Sequence, residues 1–115
     1  MTFPEAIDWL STKTLTDRTF FIKLFLSDLT IMNRAIWDDH TTSNETKIEC
    51  LKWSNELSHR IWNLLFELEK GQDDYSTTKL AENLRFYQQQ SKELSGHLAA
   101  SFKGTVEVFN SLKNR

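Results

Sequence analysis

The sequence predicts an all-α protein, an antiparallel bundle of three long helices with a short helix at its N-terminus. Two observations support this fold class. Between Phe3-Pro4 and Gly96 the only glycine or proline is Gly71, so few helix-breaking residues interrupt the chain. Apolar residues also recur at intervals of three and four through three long stretches, which is the spacing of an amphipathic helix. No repeat, low-complexity tract or flexible linker divides the chain, and we expect one domain over residues 1–115.

The first two helices are predicted from apolar runs that are separated by a polar stretch. A short helix, expected to act as a lid, carries Ala6, Ile7, Trp9 and Leu10 and ends at Ser11 to Thr14. The second helix extends to about Asp39, with Thr14 or Thr16 as its N-cap. Its apolar residues cover nearly the whole circumference, which is typical of a helix that is central or shared between subunits.

The third helix is predicted to begin near Thr42 and Glu45, which have capping-box spacing, and to end near Lys70. Gly71 then suits the left-handed position that follows a helix C-terminus. Trp53, Trp62 and Phe66 are expected to broaden a core stripe made of Ile48, Leu51, Leu57, Ile61, Leu64, Leu65 and Leu68, with Cys50 at its edge.

The fourth helix is predicted over about residues 76–112 by an apolar seam of steps of four and three, which runs Leu80, Leu84, Tyr87, Ser91, Leu94 and Leu98. Phe102, Val106, Phe109 and Leu112 continue the seam after a stutter near Ser101. Such a helix is ~55 Å long against ~40 Å for the third, so roughly ten residues of apolar tail overhang. A lid, a kink at Gly96 or Gly104, or a second subunit can cover the overhang, and we expect the lid combined with a dimer.

Composition limits the location and the partners of the protein. The single Cys50 lies in an apolar run, and the N-terminal residues lack the regions of a secretory signal. No apolar run reaches the ~18 residues that a membrane span requires. We therefore expect a cytoplasmic protein that does not contact a membrane. The 14 basic and 16 acidic residues are interspersed, and this balance makes broad nucleic-acid binding unlikely.

Neither a metal nor another cofactor is expected. Each histidine has a carboxylate nearby in sequence, which raises the possibility of a metal site inside the bundle. Helical rise places His59 about 16 Å, His97 about 33 Å and His40 about 40 Å from the Gly71 turn, so the three cannot converge. Nucleophilic catalysis also lacks support, because no candidate base accompanies the one cysteine.

One pair of residues suggests an alternative function. Arg34 and His40 have a spacing that resembles the Arg-x4-6-His pair of HEPN ribonucleases. These are small helical-bundle domains in which such a pair acts on RNA phosphates at a dimer interface. The resemblance covers seven residues and implies an RNA-directed nuclease or nucleotide-binding bundle, with Arg34 and His40 as its catalytic residues.

The function that the sequence favours is a non-enzymatic, cytoplasmic protein-interaction module, of the immunity, inhibitor or adaptor type, that works as a homodimer. Eight Phe, four Trp and two Tyr exceed what a small core easily absorbs, and aromatic residues are enriched at interfaces. The expected partner-binding residues are Trp37, Trp53, Phe102, Val106 and Phe109. An apolar ligand pocket lined by the phenylalanines of the second helix is a third possibility.

Overall fold

The computed structural model of the protein describes residues 3–72 and 76–113, and the prediction of an all-α fold is confirmed. Within these residues no strand occurs, and the elements in chain order are α1 (Phe3–Ser11), α2 (Leu15–Asp38), α3 (Asn44–Glu69), α4 (Ser76–Gln88) and α5 (Lys92–Lys113). None of the described helices has the length and apolar character needed to cross a bilayer.

The ends of the long helices follow from local hydrogen bonds. Thr14 is the N-cap of α2, and Ser43, rather than the predicted Thr42, is the N-cap of α3, because each side chain accepts a bond from a backbone amide three residues ahead. Gly71 has φ +80°, a left-handed conformation that favours glycine. The amides of Gly71 and Gln72 bond the last turn of α3 at 3.0 and 2.9 Å, so the predicted glycine cap is confirmed as a Schellman motif.

α3 runs antiparallel to α2, as contacts at both ends of the pair show. Lys23 in the first third of α2 forms an ion pair with Glu69, the last residue of α3, at 3.3 Å. At the other end, Lys47 Nζ donates to the carbonyl oxygen of Trp37 at 3.0 Å. Between them the buried Ser54 hydroxyl donates to the side-chain oxygen of Asn33.

α5 also runs antiparallel to α2, on its other side. Lys113 at the end of α5 forms an ion pair with Asp17 in the first turn of α2 at 2.7 Å. Thr105, which is fully buried, donates its hydroxyl hydrogen bond to Asp28. α4 runs antiparallel to α3, with Lys79 beside Glu67 and Tyr87 beside Trp53.

Five aromatic rings join α1, α2 and α5 at the centre of the core. Phe21 has its ring centroid 5.2 Å from that of Phe102, 5.9 Å from those of Phe109 and Trp9, and 6.5 Å from that of Phe25. The edge and tilted geometries are those that aromatic pairs prefer. Trp9 therefore places α1 over this cluster of rings, as the predicted lid.

The prediction of one helix over about residues 76–112 is wrong, because the chain breaks at residues 89–91 between α4 and α5. The amides of Gln89 and Gln90 bond the last carbonyls of α4, while the Ser91 hydroxyl accepts from the amide of Leu94 at 3.3 Å and begins α5. Gly96 and Gly104 both lie inside α5, so neither marks the break.

Replacing Gly96 with alanine is expected to stabilise the protein by roughly 0.5–1 kcal/mol, because alanine loses less chain entropy in a helix interior. A Cβ built at Gly96 meets no heavy atom within 4 Å. Urea unfolding measures the change. The exposed Ala99 on the same helix provides a control in the opposite direction. Ala99→Gly should lower the free energy of unfolding by a similar amount. A loss of stability in Gly96→Ala would show that α5 needs glycine there.

Candidate functional site

The tail residues that the sequence assigned to partner binding lie in the core of the same chain. Phe102 is 1%, Val106 6% and Phe109 2% exposed. The predicted overhang does not occur, because the break at residues 89–91 lets α5 fold back along α2. Trp9 of α1 covers Phe109, with ring centroids 5.3 Å apart.

Trp53 is half-buried and packs against the core, so its main contact is internal. Its ring lies 6.3 Å from that of Tyr87, and Lys52 Nζ lies 4.9 Å from the ring centroid. Its partner-binding role stays a prediction. Trp37, in contrast, is 63% exposed at the end of α2.

Arg34 and His40 lie at the same end of the bundle, and both are exposed. Arg34 Nε forms an ion pair with Asp38 at 3.7 Å, one helical turn away, and His40 lies in the connection between α2 and α3. The pair is not enclosed by the chain itself. The catalytic role that the HEPN resemblance implies stays a prediction.

The connection between α2 and α3 is held by Asp39. Its carboxylate accepts bonds from the amide and hydroxyl of Thr41, at 2.8 and 2.6 Å, and from the hydroxyl of Thr42 at 2.8 Å. Hydrogen bonds to the charged form lower the pKa of the Asp39 carboxyl to about 2, with a smaller contribution from the positive charge of Lys47. Three hydrogen bonds to one carboxylate therefore stabilise the connection between the end of α2 and the start of α3.

Titratable side chains do not assemble into a metal site in the part of the chain that the structure describes. No group of three or more His, Cys, Asp or Glu residues there could hold a metal ion. His97 approaches Glu93 at 3.8 Å, one turn apart on α5. Cys50 is buried, and burial, with the negative charges of Glu93 and Glu49, raises the pKa of its thiol. A protonated thiol is a poor nucleophile and a poor metal ligand.

The acidic residues at the end of α3 are engaged within the chain. Glu67 pairs with Lys79 at 2.8 Å, and Glu69 pairs with Lys23 at 3.3 Å. Asp73 and Asp74 continue this acidic segment in sequence and lie outside the described residues. Both ion pairs are about half exposed. Pairs of this kind contribute about 0–1 kcal/mol each to the stability of the fold.

An exposed line along the outer side of α3 carries apolar side chains near both of its ends, with the polar Lys52, Asn55 and His59 between them. Ile48 is 63%, Trp62 48% and Phe66 54% exposed, so their prediction as core residues is wrong. Lys47 and Ser54 are buried in place of Ile48 because they bond Trp37 and Asn33 of α2. The side of α3 that faces α2 is therefore partly polar, and the line of apolar side chains is turned outward.

The exposed line has the geometry of a helix-docking surface. Ile48 and Phe66 are eighteen residues apart, which is five full turns, so both lie on one line of α3 about 27 Å long. Trp62 lies one turn before Phe66, with ring centroids 6.3 Å apart. Trp37 joins Ile48 from α2 across a groove of about 380 Å³. We refer to Trp37, Ile48, Trp62 and Phe66 as the α2–α3 face.

Truncating Phe109 is expected to destabilise the protein by roughly 3–5 kcal/mol, because Phe109→Ala removes a ring that is fully packed among Trp9, Phe20 and Phe21. Val108→Ala is the matched control. Val108 is 44% exposed on the same helix, and its truncation should cost no more than about 0.5 kcal/mol. Equal losses in urea unfolding would contradict the placement of Phe109 in the core.

The Asp39 turn is expected to lose its contribution to stability in acid. A carboxyl whose pKa falls from 3.8 to about 2 on folding stabilises the folded state above pH ~4, and this stabilisation disappears between about pH 4 and 2. An NMR titration of the Asp39 carboxyl should give a midpoint near 2. Asp39→Asn should have a lower free energy of unfolding at pH 7. Its stability should also lack the part of the decrease between about pH 4 and 2 that comes from the Asp39 carboxyl. A midpoint near 3.8 would show that the three hydrogen bonds do not persist.

Comparison of the chain with models of known families, with characterised proteins and with solved structures finds no match.

Proposed function

We propose that the protein is a non-enzymatic protein-interaction module whose α2–α3 face binds a helix of a partner protein. This class includes immunity proteins, inhibitors and adaptors. The observation that carries the proposal is the alignment of Ile48, Trp62 and Phe66 on one side of α3, with Trp37 beside Ile48. Trp62 and Phe66, one helical turn apart, fit the apolar side of another helix, which presents residues at the same period.

The energetics of the face support this function. Tryptophan is the residue most enriched in the energetic centres of protein interfaces, and two of the four tryptophans are about half exposed or more. Removing roughly 100 Å² of each exposed aromatic side chain from water stabilises a complex by about 2–3 kcal/mol. Three such rings together contribute about 6–9 kcal/mol before the entropic cost of association is subtracted.

The charges beside the face also favour an apolar partner. Lys23 is paired with Glu69, and Arg34 with Asp38, so these two cations have counter-charges within the chain. A partner need not supply opposite charges to match them. The backbone beneath Trp37 and Ile48 is held before binding by the Asp39 turn and by the bond from Lys47 to the Trp37 carbonyl oxygen, and a preorganised backbone reduces the entropy lost on association.

Site-specific photo-crosslinking tests the proposal. A benzoylphenylalanine residue at position 66, introduced in native cells, should crosslink to a partner that mass spectrometry identifies. The same residue at position 86 is the control, because Phe86 is 52% exposed on α4, outside the α2–α3 face. We expect a discrete adduct at position 66 that is absent at position 86.

The purified partner then allows a quantitative test. Trp62→Ser combined with Phe66→Ser should weaken the complex at least tenfold in calorimetry, because two anchoring rings are lost. Phe86→Ser should bind as tightly as the wild type. Equal crosslinking at both positions, or equal affinities for both variants, would contradict the proposal.

A further inference from the structure

We infer that the groove between Trp37 and Ile48 binds a carboxylate group of the partner helix, with the ammonium group of Lys47 as its main hydrogen-bond donor. The carboxylate belongs to an aspartate or glutamate side chain. Because the groove is one end of the α2–α3 face, this site rests on the function proposed above. It adds a chemical requirement for the partner, which is one carboxylate on an otherwise apolar side of its helix.

Lys47 is a buried cation that lines this groove. Its side chain is 8% exposed, although lysine is almost never enclosed to this degree unless it is paired. Its Nζ donates to the carbonyl oxygen of Trp37 at 3.0 Å, and an ammonium group has three N–H donors. In the described part of the chain no ion pair or second hydrogen bond accompanies this contact. Two donors are therefore left for a ligand.

The groove combines apolar walls with polar donors. It has a volume of about 380 Å³ and is lined by Trp37, Asn44, Lys47 and Ile48, and sites for small ligands measure about 300–1,000 Å³. Trp37 and Ile48 are each 63% exposed, so both can contact the hydrocarbon part of a ligand. The Asn44 carboxamide supplies further N–H donors. The groove therefore suits a side chain that is apolar along its length and charged at its end.

The local electrostatics favour an anion in the groove. α3 begins at Asn44, and the dipole of a helix is positive at its N-terminal end. The Asp39 carboxylate accepts its hydrogen bonds from Thr41 and Thr42. These bonds, those from Thr41 above all, lower the pKa of Asp39, and the charge of Lys47 is the smallest cause. Asp39 therefore serves the turn and leaves the Lys47 ammonium available.

The other nearby carboxylates are directed away from Lys47. Asp38 forms its ion pair along α2, with Arg34 at 3.7 Å. Glu45 and Glu49 each lie two residues from Lys47 on α3 and are exposed. Because successive residues of a helix are separated by about 100°, both lie roughly 160° around α3 from Lys47. A carboxylate from the partner thus enters the groove without a like charge on the same side of α3.

Lys52 shows why burial matters for this role. It lies on the exposed line of α3, with its Nζ 4.9 Å from the ring centroid of Trp53. Water and salt screen an exposed charge, whereas a charge that the protein largely encloses attracts a counter-charge more strongly. A carboxylate therefore gains more at Lys47 than at Lys52, and Lys52 provides a matched control.

Hydrocinnamate, a phenyl ring joined to a carboxylate by two methylene groups, is a suitable probe of the groove. In an NMR titration of the isotope-labelled full chain, we expect the largest shift changes at the Trp37 indole and at the Asn44 and Ile48 amides. The dissociation constant should be on the order of millimolar, as is usual for so small a ligand. Hydrocinnamide has the same shape without the charge. It should bind at least about fivefold more weakly, because hydrogen bonds between charged groups are stronger than those to neutral groups.

Two pairs of variants identify the donor, with circular dichroism to confirm that each variant is folded. Lys47→Met should abolish the preference for hydrocinnamate over hydrocinnamide, whereas Lys52→Met should keep it. Ile48→Glu and Ile48→Gln leave Lys47 in place and introduce side chains of equal length at an exposed position. Ile48→Glu brings a competing carboxylate to the groove, so it should weaken hydrocinnamate binding severalfold relative to Ile48→Gln.

Equal affinities of the wild type for the acid and the amide would overturn the inference. A preference that persists in Lys47→Met, or equal binding of hydrocinnamate to the two Ile48 variants, would do so as well. The crosslink at position 66 does not depend on Lys47, so a crosslink without a carboxylate preference would overturn the carboxylate site and leave the proposed function intact. A carboxylate preference without a crosslink would contradict the proposed function and would overturn the assignment of the carboxylate to a partner helix.

Discussion

The packing of Phe21 against four other aromatic rings is the constraint on which the rest of the structure depends. The ring is fully buried and contacts Trp9 of α1 and both Phe102 and Phe109 of α5. Rings of this size bury about 150–250 Å² each, so the cluster holds together helices that lie far apart in sequence. Because these rings are buried inside one chain, they leave the outer surface of α2 to other residues.

Polar contacts then fix how α2 is aligned with its neighbours. Buried hydroxyls tie it to α3 through Ser54 and Asn33, and to α5 through Thr105 and Asp28. A buried polar group that loses its hydrogen-bond partner destabilises the fold. Moving α3 or α5 along α2 therefore costs free energy. With both neighbours aligned in this way, α2 contributes Trp37 to one exposed apolar surface and Ile31 to another.

Periodicity predicted the helices and most of the core, but it missed the break before α5 and the outward line on α3. The apolar seam keeps its steps through Tyr87, Ser91 and Leu94, because α4 and α5 bury their stripes in the same core. Ser91 lies at a seam position and yet caps a new helix, and neither glycine nor proline marks the break. On α3, Ile48 is exposed because its neighbour Lys47 is buried and donates a hydrogen bond to the Trp37 carbonyl oxygen of α2. The spacing of apolar residues along one helix cannot predict such a bond to another helix.

The buried thiol of Cys50 has a practical consequence. Its raised pKa and its enclosure keep it protonated and inaccessible in the folded protein, whereas in the unfolded chain it has an ordinary cysteine pKa and is open to solvent. The cysteine is also the single one in the sequence. The rate of alkylation of this sulfur therefore measures how often the core opens near the start of α3. The native chain thus carries its own chemical probe of local unfolding.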